Sequence, residues 1–423
     1  MQTRWFSFDT PVPQDRQAPA IILDPETGGI GIIHSLGPLG IPLISVERRW
    51  PPRLGHLSRF VERTVFLPDG GEGTLAQALL ALGPQLPDRG VLFPSTDEQL
   101  EQLMEHYDAL TRFYAVPTNP RLGPVLFQKS WQYALAEQLG VPTPPHVHFR
   151  GGEVPDFKGL RFPLIIKPVA RVAREGAPAF RLRVVEHLEA LHRCLEEIGQ
   201  QHAGRLFQLA ENIPGDSSTL VTVGSYSNRE GKVLVSYTGR KLTQWPFTHG
   251  SASIAESTDL PREVIDYARA LLEQAAIHGI TQVEFKYDAR DRTYRLIEIN
   301  GRTWSWIKLA TESGINLPLI QYADLAWPEA LPHLLNSAQR NDCFFVFDYH
   351  VALNRNADEK QLLQSLSQSK RRVEAMWYPG EWKLWAAHRV LAAAKVLRER
   401  FRQWRQPKAL EPEAAVGGTV KCS

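Results

Sequence analysis

The amino-acid sequence predicts an α/β protein, with α+β character in its middle portion and a helical C-terminal extension. Three observations carry that reading. Near the N-terminus a strand, a glycine turn, a helix and a second strand follow one another, which is how a doubly wound sheet begins. Farther along, two apolar strands joined by a short charged turn read as a hairpin over residues 281–300. The closing stretch holds one long amphipathic helix over 381–405.

Each element has a local reason. Residues 19–23 (PAIIL) read as a buried strand, 28–40 (GGIGIIHSLGPLG) as a glycine-led helix start, and 41–46 (IPLISV) as the second strand. Of the 31 prolines, 18 lie in the first 150 residues, where they break short apolar runs into strands, helices and tight loops. Residues 91–94 (VLFP) read as a later strand. A helix over 97–114 follows, with Ser95 and Thr96 as caps. Residues 127–139 read as a helix closed by Gly140, and 162–167 (FPLIIK) as a strand ending on a lysine. Leu188, Leu191, Leu195 and Ile198 keep helical spacing, which Gly199 can end. Strands are expected over 206–211, 218–226 and 233–239. Pro261 suits the first turn of a helix running to residue 278, with Val264, Ala268, Leu271 and Ala275 on one face. Strands 281–288 and 293–300 close on a turn at 289–292. No internal repeat is present, and residues 406–423 read as disordered.

Composition narrows the function classes. The chain has 423 residues, 43% apolar and 22% charged, ordinary values for a protein with sizeable cores. Lys and Arg total 48 against 46 Asp and Glu, a net charge of +2, so a nucleic-acid coat is not expected. That balance averages two unlike parts: residues 326–423 carry 15 basic against 10 acidic residues, leaving 33 against 36 before them. No apolar run reaches the roughly 18 residues that span a bilayer, and the first 17 residues lack a signal-peptide pattern. Cys194, Cys343 and Cys422 are odd in number and far apart, so neither a disulfide framework nor a structural zinc site is indicated. A cytoplasmic location is expected, with peripheral contact to the inner face of the membrane as an addition.

The stretch richest in chemistry is 283–302, VEFKYDARDRTYRLIEINGR. Alternation puts Glu298 and Asn300 on one strand face, and hairpin pairing can bring Glu284 beside them. Two carboxylates and a carboxamide oxygen make a hard-oxygen set suited to Mg²⁺, which completes its octahedron with water and phosphate. On spacing alone a solvated hairpin face fits equally well. Interleaving with Leu296, Ile297 and Ile299 favours a partner or a metal, because an acid in an apolar strand needs one.

This stretch resembles the metal-binding signature of the ATP-grasp superfamily, an acidic residue followed at a distance by E-x-N-x-R. Other motifs arrive in that superfamily's order. Lys129 opens a helix before GVPTPP, Lys167 ends FPLIIK, and residues 211–215 (ENIPG) follow a strand. The resemblance covers roughly residues 17–325. Within the superfamily, YTGRKLTQWPFTHGSASIAES with EINGRTW is similar to the carboxylate–amine ligases, the D-aspartate ligase kind.

The resemblance implies an ATP-grasp fold preceded by a Rossmann-like domain: 1–126 for that domain, 127–325 for the ATP-grasp unit (lobes 127–205 and 206–325), and 326–423 for the extension. It implies ATP and Mg²⁺ as cofactors, with Mn²⁺ able to substitute. Lys129, Lys167 and Arg302 would face phosphates; the backbone of Ala210, Glu211, Asn212 and Ile213 would face the adenine edge; Asp216 would meet the ribose; Glu284, Glu298 and Asn300 would hold the metal. Small-molecule carboxylate and amine substrates follow, joined through an acyl phosphate. An acid–thiol ligase, a carboxylase and a non-catalytic nucleotide sensor are the alternatives. Arg240 is the expected carboxylate anchor, because a guanidinium binds a carboxylate bidentately. Lys241 alternates to the opposite face and is expected in solvent. His249, with Gly250 and Ser251, reads either as part of a mobile substrate loop or, the favoured reading, as a structural hydrogen-bonding histidine. One departure from the family stands out: the segment 169–180 has a single glycine, Gly176, where a glycine-rich phosphate loop is usual, leaving Arg171 and Arg174 to cover phosphates. The triplet Gly28, Gly29 and Gly31 is not a spaced dinucleotide motif, so no NAD is inferred.

In the helix over 381–405, Trp382, Ala386, Val390, Ala393, Leu397, Phe401 and Trp404 form an apolar stripe, and seven Lys or Arg stand against two Glu. Docking of the stripe onto the body is the favoured reading; contact with an anionic membrane or an acidic partner is the other. A homodimer is allowed by everything above.

Overall fold

The computed structural model describes residues 18–48, 53–67, 74–169, 182–246, 250–354 and 357–405. The first sheet is built from β1 (Ala20–Leu23), β2 (Leu43–Arg48), β3 (Val61–Leu67), β4 (Gly90–Phe93) and β5 (Tyr114–Ala115), in the order β3-β2-β1-β4-β5. All its pairings are parallel. Connections leave β1 toward β2 on one side and approach β4 on the other, so a switch point opens at the strand ends Leu23 and Phe93. Beyond β4, Thr96 forms a capping box with Gln99 at the start of helix Asp97–Glu105. The expected single helix over 97–114 is broken at His106. A short turn of helix, Tyr107–Leu110, follows, and buried Tyr114 is drawn into β5, donating its hydroxyl to the Leu79 carbonyl at 2.6 Å.

The second sheet is antiparallel and small: β6 (His146–Arg150), β7 (Leu164–Pro168), β8 (Arg183–Val185) and β9 (Leu206–Glu211), in the order β6-β9-β7-β8. Helix Leu188–Gln201 covers one face through Leu191, Cys194, Leu195 and Ile198. The other face carries Lys167, Gln208 and Ala210, all buried.

The third sheet has seven strands: β10 (Leu220–Ser227), β11 (Val233–Trp245), β12 (Ser251–Ser257), β13 (Gly279–Asp288), β14 (Thr293–Asn300), β15 (Cys343–Val346) and β16 (Arg371–Glu374). Their order is β14-β13-β10-β11-β12-β15-β16, antiparallel except for β15 beside β16. One face buries Val221, Val223, Val283 and Phe285 under helix Arg262–Gln274 and Tyr133 of helix Lys129–Gln138. The opposite face meets the first sheet's helix Thr27–Leu36 through Tyr226, Tyr237, Trp304 and Trp306, in one continuous core. The glycines of that helix serve this approach. A Cβ on Gly28 would lie 2.9 Å from the Trp304 carbonyl oxygen, and one on Gly31 would lie 3.1 Å from Ile307.

Three features differ from the sequence reading. β11 runs six residues past its expected end at Gly239, and Ser251 begins a strand rather than lying in a loop; His249 lies outside the described residues. The C-terminal extension contains the expected helix, Trp382–Arg405, but also supplies β15 and β16. The helix docks by a different face from the expected one. Leu384 is fully buried and Val396 nearly so, whereas Trp382, Val390 and Leu397 are 62%, 69% and 64% exposed. The reading of 406–423 as disordered and the glycine-poor segment from residue 170 onward, with Arg171, Arg174 and Gly176, fall outside the described residues.

Candidate active site

The hairpin β13–β14 sets the geometry. Its register places Glu284 directly opposite Glu298, and Gln282 opposite Asn300, on the sheet face away from helix Arg262–Gln274. Each of the three expected metal-binding groups has a cation or amide against it. Glu298 Oε1 is 3.1 Å from Lys129 Nζ. Glu284 Oε1 is 2.8 Å from Lys241 Nζ and accepts from Gln282 Nε2 at 3.2 Å. Asn300 Oδ1 accepts from Arg302 at 3.2 Å, and Arg302 Nε donates to Asp97 Oδ1 at 2.8 Å. Among the described residues no group of three or more His, Cys, Asp or Glu is arranged to hold a metal. The candidate set is therefore two carboxylates and one carboxamide, all hard oxygens with a formal charge of −2. That set fits a divalent ion that takes its remaining ligands from water and phosphate.

Strand alternation decides the substrate-side strand. Gly239 pairs with Thr222, and Thr222 with Glu284, so Lys241 shares their face. Lys241 is buried on the hairpin carboxylates, not placed in solvent. Arg240 points the other way, with Val221 and Phe285. Its guanidinium is held by Glu256 at 2.6–2.7 Å, and Lys370 binds the same carboxylate at 2.6 Å. Arg240 therefore does not reach the face that carries Glu284 and cannot anchor a carboxylate there. The sequence shows that neighbours on a strand face opposite ways; which way is inward follows only from the sheet around them.

A second group lies on the face of the small sheet away from helix Leu188–Gln201. Lys167 on β7 stands opposite Gln208 on β9, with Ala210 two residues along. Lys167 Nζ lies 5.5 Å from the Tyr133 ring centre. Burial, then the nearby Lys129 charge, pushes the Lys167 ammonium down to about 7, with Glu298 opposing. Gln208 is buried, and neither atom of its amide has a hydrogen-bond partner among the described residues; the same holds for the Tyr133 hydroxyl. Sequence reasoning passed over both. Their signal was a polar residue at the centre of an apolar strand and a tyrosine one helical turn from Lys129. Buried polar groups without partners are rare in native proteins and are commonly met by a ligand or water.

The stretch 210–213 is more constrained than expected. The Glu211 amide donates to the Pro145 carbonyl at 2.9 Å and the Asn212 amide to the Pro163 carbonyl at 3.0 Å. Those two N–H groups are committed to the sheet, so any base edge would meet the carbonyls and Ile213. The Glu211 side chain bridges elements: it accepts from the Arg161 amide at 3.0 Å and pairs with Arg290 of the hairpin turn at 2.8 Å. Arg290 also binds Asp288, whose carboxyl it holds well below the usual range. Asp216 caps the turn Ser217–Thr219, accepting from the Ser218 amide at 2.8 Å and its hydroxyl at 2.6 Å, and these bonds lower its pKa.

Comparison with known proteins places this geometry. Residues 233–335 match the family described as ATP-grasp in the biosynthetic pathway with Ter operon. D-aspartate ligase of Enterococcus faecium is 24% identical over 240 residues, covering 54% of this chain and 56% of that ligase, little more than half its length. The biotin carboxylase of Campylobacter jejuni, solved as a β,γ-ATP complex, superposes with a TM-score of 0.61 at 16% identity over 77% of this chain and 74% of that one. The L-amino acid ligase of Bacillus licheniformis superposes with a TM-score of 0.53 at 16% identity, over 77% and 76%. The fold is thus that of ATP-grasp proteins, as the ordered motifs implied, and a little over half of the chain is similar in sequence to a D-aspartate ligase.

Proposed function

We propose that the chain is an ATP-dependent ligase that joins a carboxylate to an amine. The observation that carries the reading is the pairing of Glu284 with Glu298 across one hairpin face, ringed by Lys129, Lys241 and Arg302. Such a ring balances charge in the ligand-free protein, and it can reorganise around a triphosphate. Lys129 and Lys167 would bind phosphate oxygens as mobile point charges. Ala210, Ile213, Gln208 and Tyr133 would border the base, Asp216 the ribose. Glu284, Glu298 and Asn300 would hold Mg²⁺, which when bound neutralises phosphate charge and orients the transferred group.

The chemistry follows in two balanced steps. A substrate carboxylate oxygen takes the γ-phosphoryl group, leaving ADP and an acyl phosphate. An amine then attacks the acyl carbon, inorganic phosphate leaves, and the amine nitrogen loses a proton. Arg302 stands at the junction of the hairpin and the first sheet, held by Asp97 just beyond β4. From there it can stabilise the charge that builds on the transferred phosphoryl oxygens. Thr303 fixes that junction, donating its hydroxyl to the Pro94 carbonyl at 2.8 Å.

The test is purified protein with Mg-ATP and pooled carboxylates and amines. Phosphate release that requires both an acid and an amine, and that is lost in Glu298→Ala, is the expected result. ADP release indifferent to every amine, or tight ATP binding with no turnover on broad pools, would overturn it.

A further inference from the structure

The helix Trp382–Arg405 is fastened to the body by one face and presents another. Glu381, just before it, is buried and accepts from the Arg59 amide at 2.9 Å, and Leu384 and Val396 complete the inner side. His388 stacks on Phe347 with ring centres 5.7 Å apart, and Trp385 meets Trp377 edge-on at 5.6 Å. The inward positions are therefore filled. On the outside, Trp382, Val390, Ala393 and Leu397 fall in one line at steps of three to eight residues, and all four are exposed. The sequence repeats the spacing at Phe401 and Trp404.

Charge frames the line. From 382 to 398 the helix has four cations, Lys383, Arg389, Lys395 and Arg398, and no acid. All four are exposed. At 100° per residue, Lys383 and Arg398 fall on one side of the stripe; Arg389, on the other, is held by Asp348 at 3.2 Å, which leaves Lys383 and Arg398 as the flanking charges. Glu381 cannot offset them, because its carboxylate faces inward.

We infer that this helix lies on an anionic lipid surface, its apolar line in the headgroup boundary and its cations beside phosphate groups. The helix is about 36 Å long at 1.5 Å per residue, so a long contact is available. An exposed tryptophan such as Trp382 is what a helix parallel to a membrane places at the boundary, and lysine and arginine stems can lie along the apolar surface while their charges stay wet. No helix among the described residues is long and apolar enough to cross a membrane, so the contact is parallel to the surface. A second copy is a poorer occupant. A two-fold contact through this stripe would bring together two sets of helix cations, Lys383 and Arg398 among them, with no acid between 382 and 398 to pair them. An acidic peptide would gain from the charges, but the presented surface is a convex ridge, and a ridge of Trp, Val and Leu is what a fluid boundary accommodates without a groove.

The inference does not rest on the ligase reading, because turnover is not its readout. The experiment is flotation of the full chain with phosphatidylcholine vesicles, with and without phosphatidylglycerol, at low and high salt. Val390→Asp with Leu397→Asp changes only exposed positions; an unchanged melting temperature confirms the fold. The expected result is flotation with the anionic vesicles, weakened by salt, and reduced at least about tenfold in the double variant. Arg398→Glu reduces it as well. Absence of flotation with anionic vesicles overturns the inference, and so does equal flotation of the double variant. Binding to polyglutamate in place of vesicles, or a dimer in light scattering that the double variant abolishes without any vesicle binding, assigns the stripe to another occupant and overturns it too.

Discussion

Single residues in this site are set by what surrounds them, and Lys167 shows it most directly. Its ammonium, pushed down to about 7 by burial and Lys129, is largely charged at pH 6 and largely neutral at pH 8 in the ligand-free protein. A bound triphosphate favours the charged form. ATP binding above pH 7 should therefore take up a proton, and affinity should fall as pH rises from 7 to 9, by at most about tenfold per unit. Calorimetry in buffers of different ionisation enthalpy measures the uptake, and Lys167→Met should abolish it. Gln208 offers a contrast. Replacing its unpartnered buried amide in Gln208→Leu should stabilise the ligand-free protein by roughly 1 kcal/mol, yet weaken ATP binding, read by thermal melts with and without nucleotide. The pair Lys241 and Arg240 separates the two faces of β11. Lys241→Met leaves Glu284 buried without its cation, a loss of about 3 kcal/mol that added Mg²⁺ should partly restore. Arg240→Met leaves Lys370 on Glu256 and should cost under about 1 kcal/mol, with substrate KM unchanged. Equal effects from the two variants would contradict the assignment of Lys241 to the site.

At the scale of elements, close approach matters more than motif. The glycines at the start of the first helix let it lie against the residues that follow the hairpin. Gly28→Val would drive a side chain into the Trp304 carbonyl, and should cost about 1–3 kcal/mol in a denaturant midpoint. Nucleotide affinity of the folded fraction should be retained, since these glycines cradle no phosphate. What was legible in the sequence follows the same division. β14 ends where alternation and turn residues put it, at Asn300, and the helix following Pro261 keeps the face of Val264, Ala268 and Leu271. These signals are local. β15 was not legible: CFFV is four apolar residues that periodicity cannot assign, and its partner β12 lies some ninety residues earlier. The terminal helix was legible as an element but misleading in its orientation. The most regular apolar stripe reads as the docking face, whereas the body takes the sparser line of Leu384 and Val396. Within the site, the opposition of Glu284 and Glu298 could be read from hairpin pairing, but the inward turn of Lys241 required the whole sheet.

For the whole molecule, the consequence of β15 and β16 is that the seven-stranded sheet is completed from the far end of the chain. Residues 326–423 supply all of the basic excess, yet part of that segment is core: Phe344 and Val346 of β15 pack with Ile254 of β12 in an apolar cluster, and Phe345 lies on the opposite, larger core. Lys308 donates to the carbonyls of Glu374 and Trp377, and buried Glu381, which accepts from the Arg59 amide and lies 3.7 Å from His34, ties the first sheet to the base of the last helix. Two truncations should therefore behave in opposite ways. A chain ending at residue 335 exposes the β12 edge with Ile254 and Ala255, an apolar pairing edge that invites aggregation. It should be recovered insoluble, or lose the cooperative thermal transition. A chain ending at residue 405 keeps every described element and should melt within a degree or two of the full chain, with ATP binding unchanged. Size-exclusion chromatography and differential scanning calorimetry distinguish the cases. A stable, ATP-binding fragment 1–335 would show that the last two strands are an appendage, and that the seven-stranded sheet closes on β12 alone.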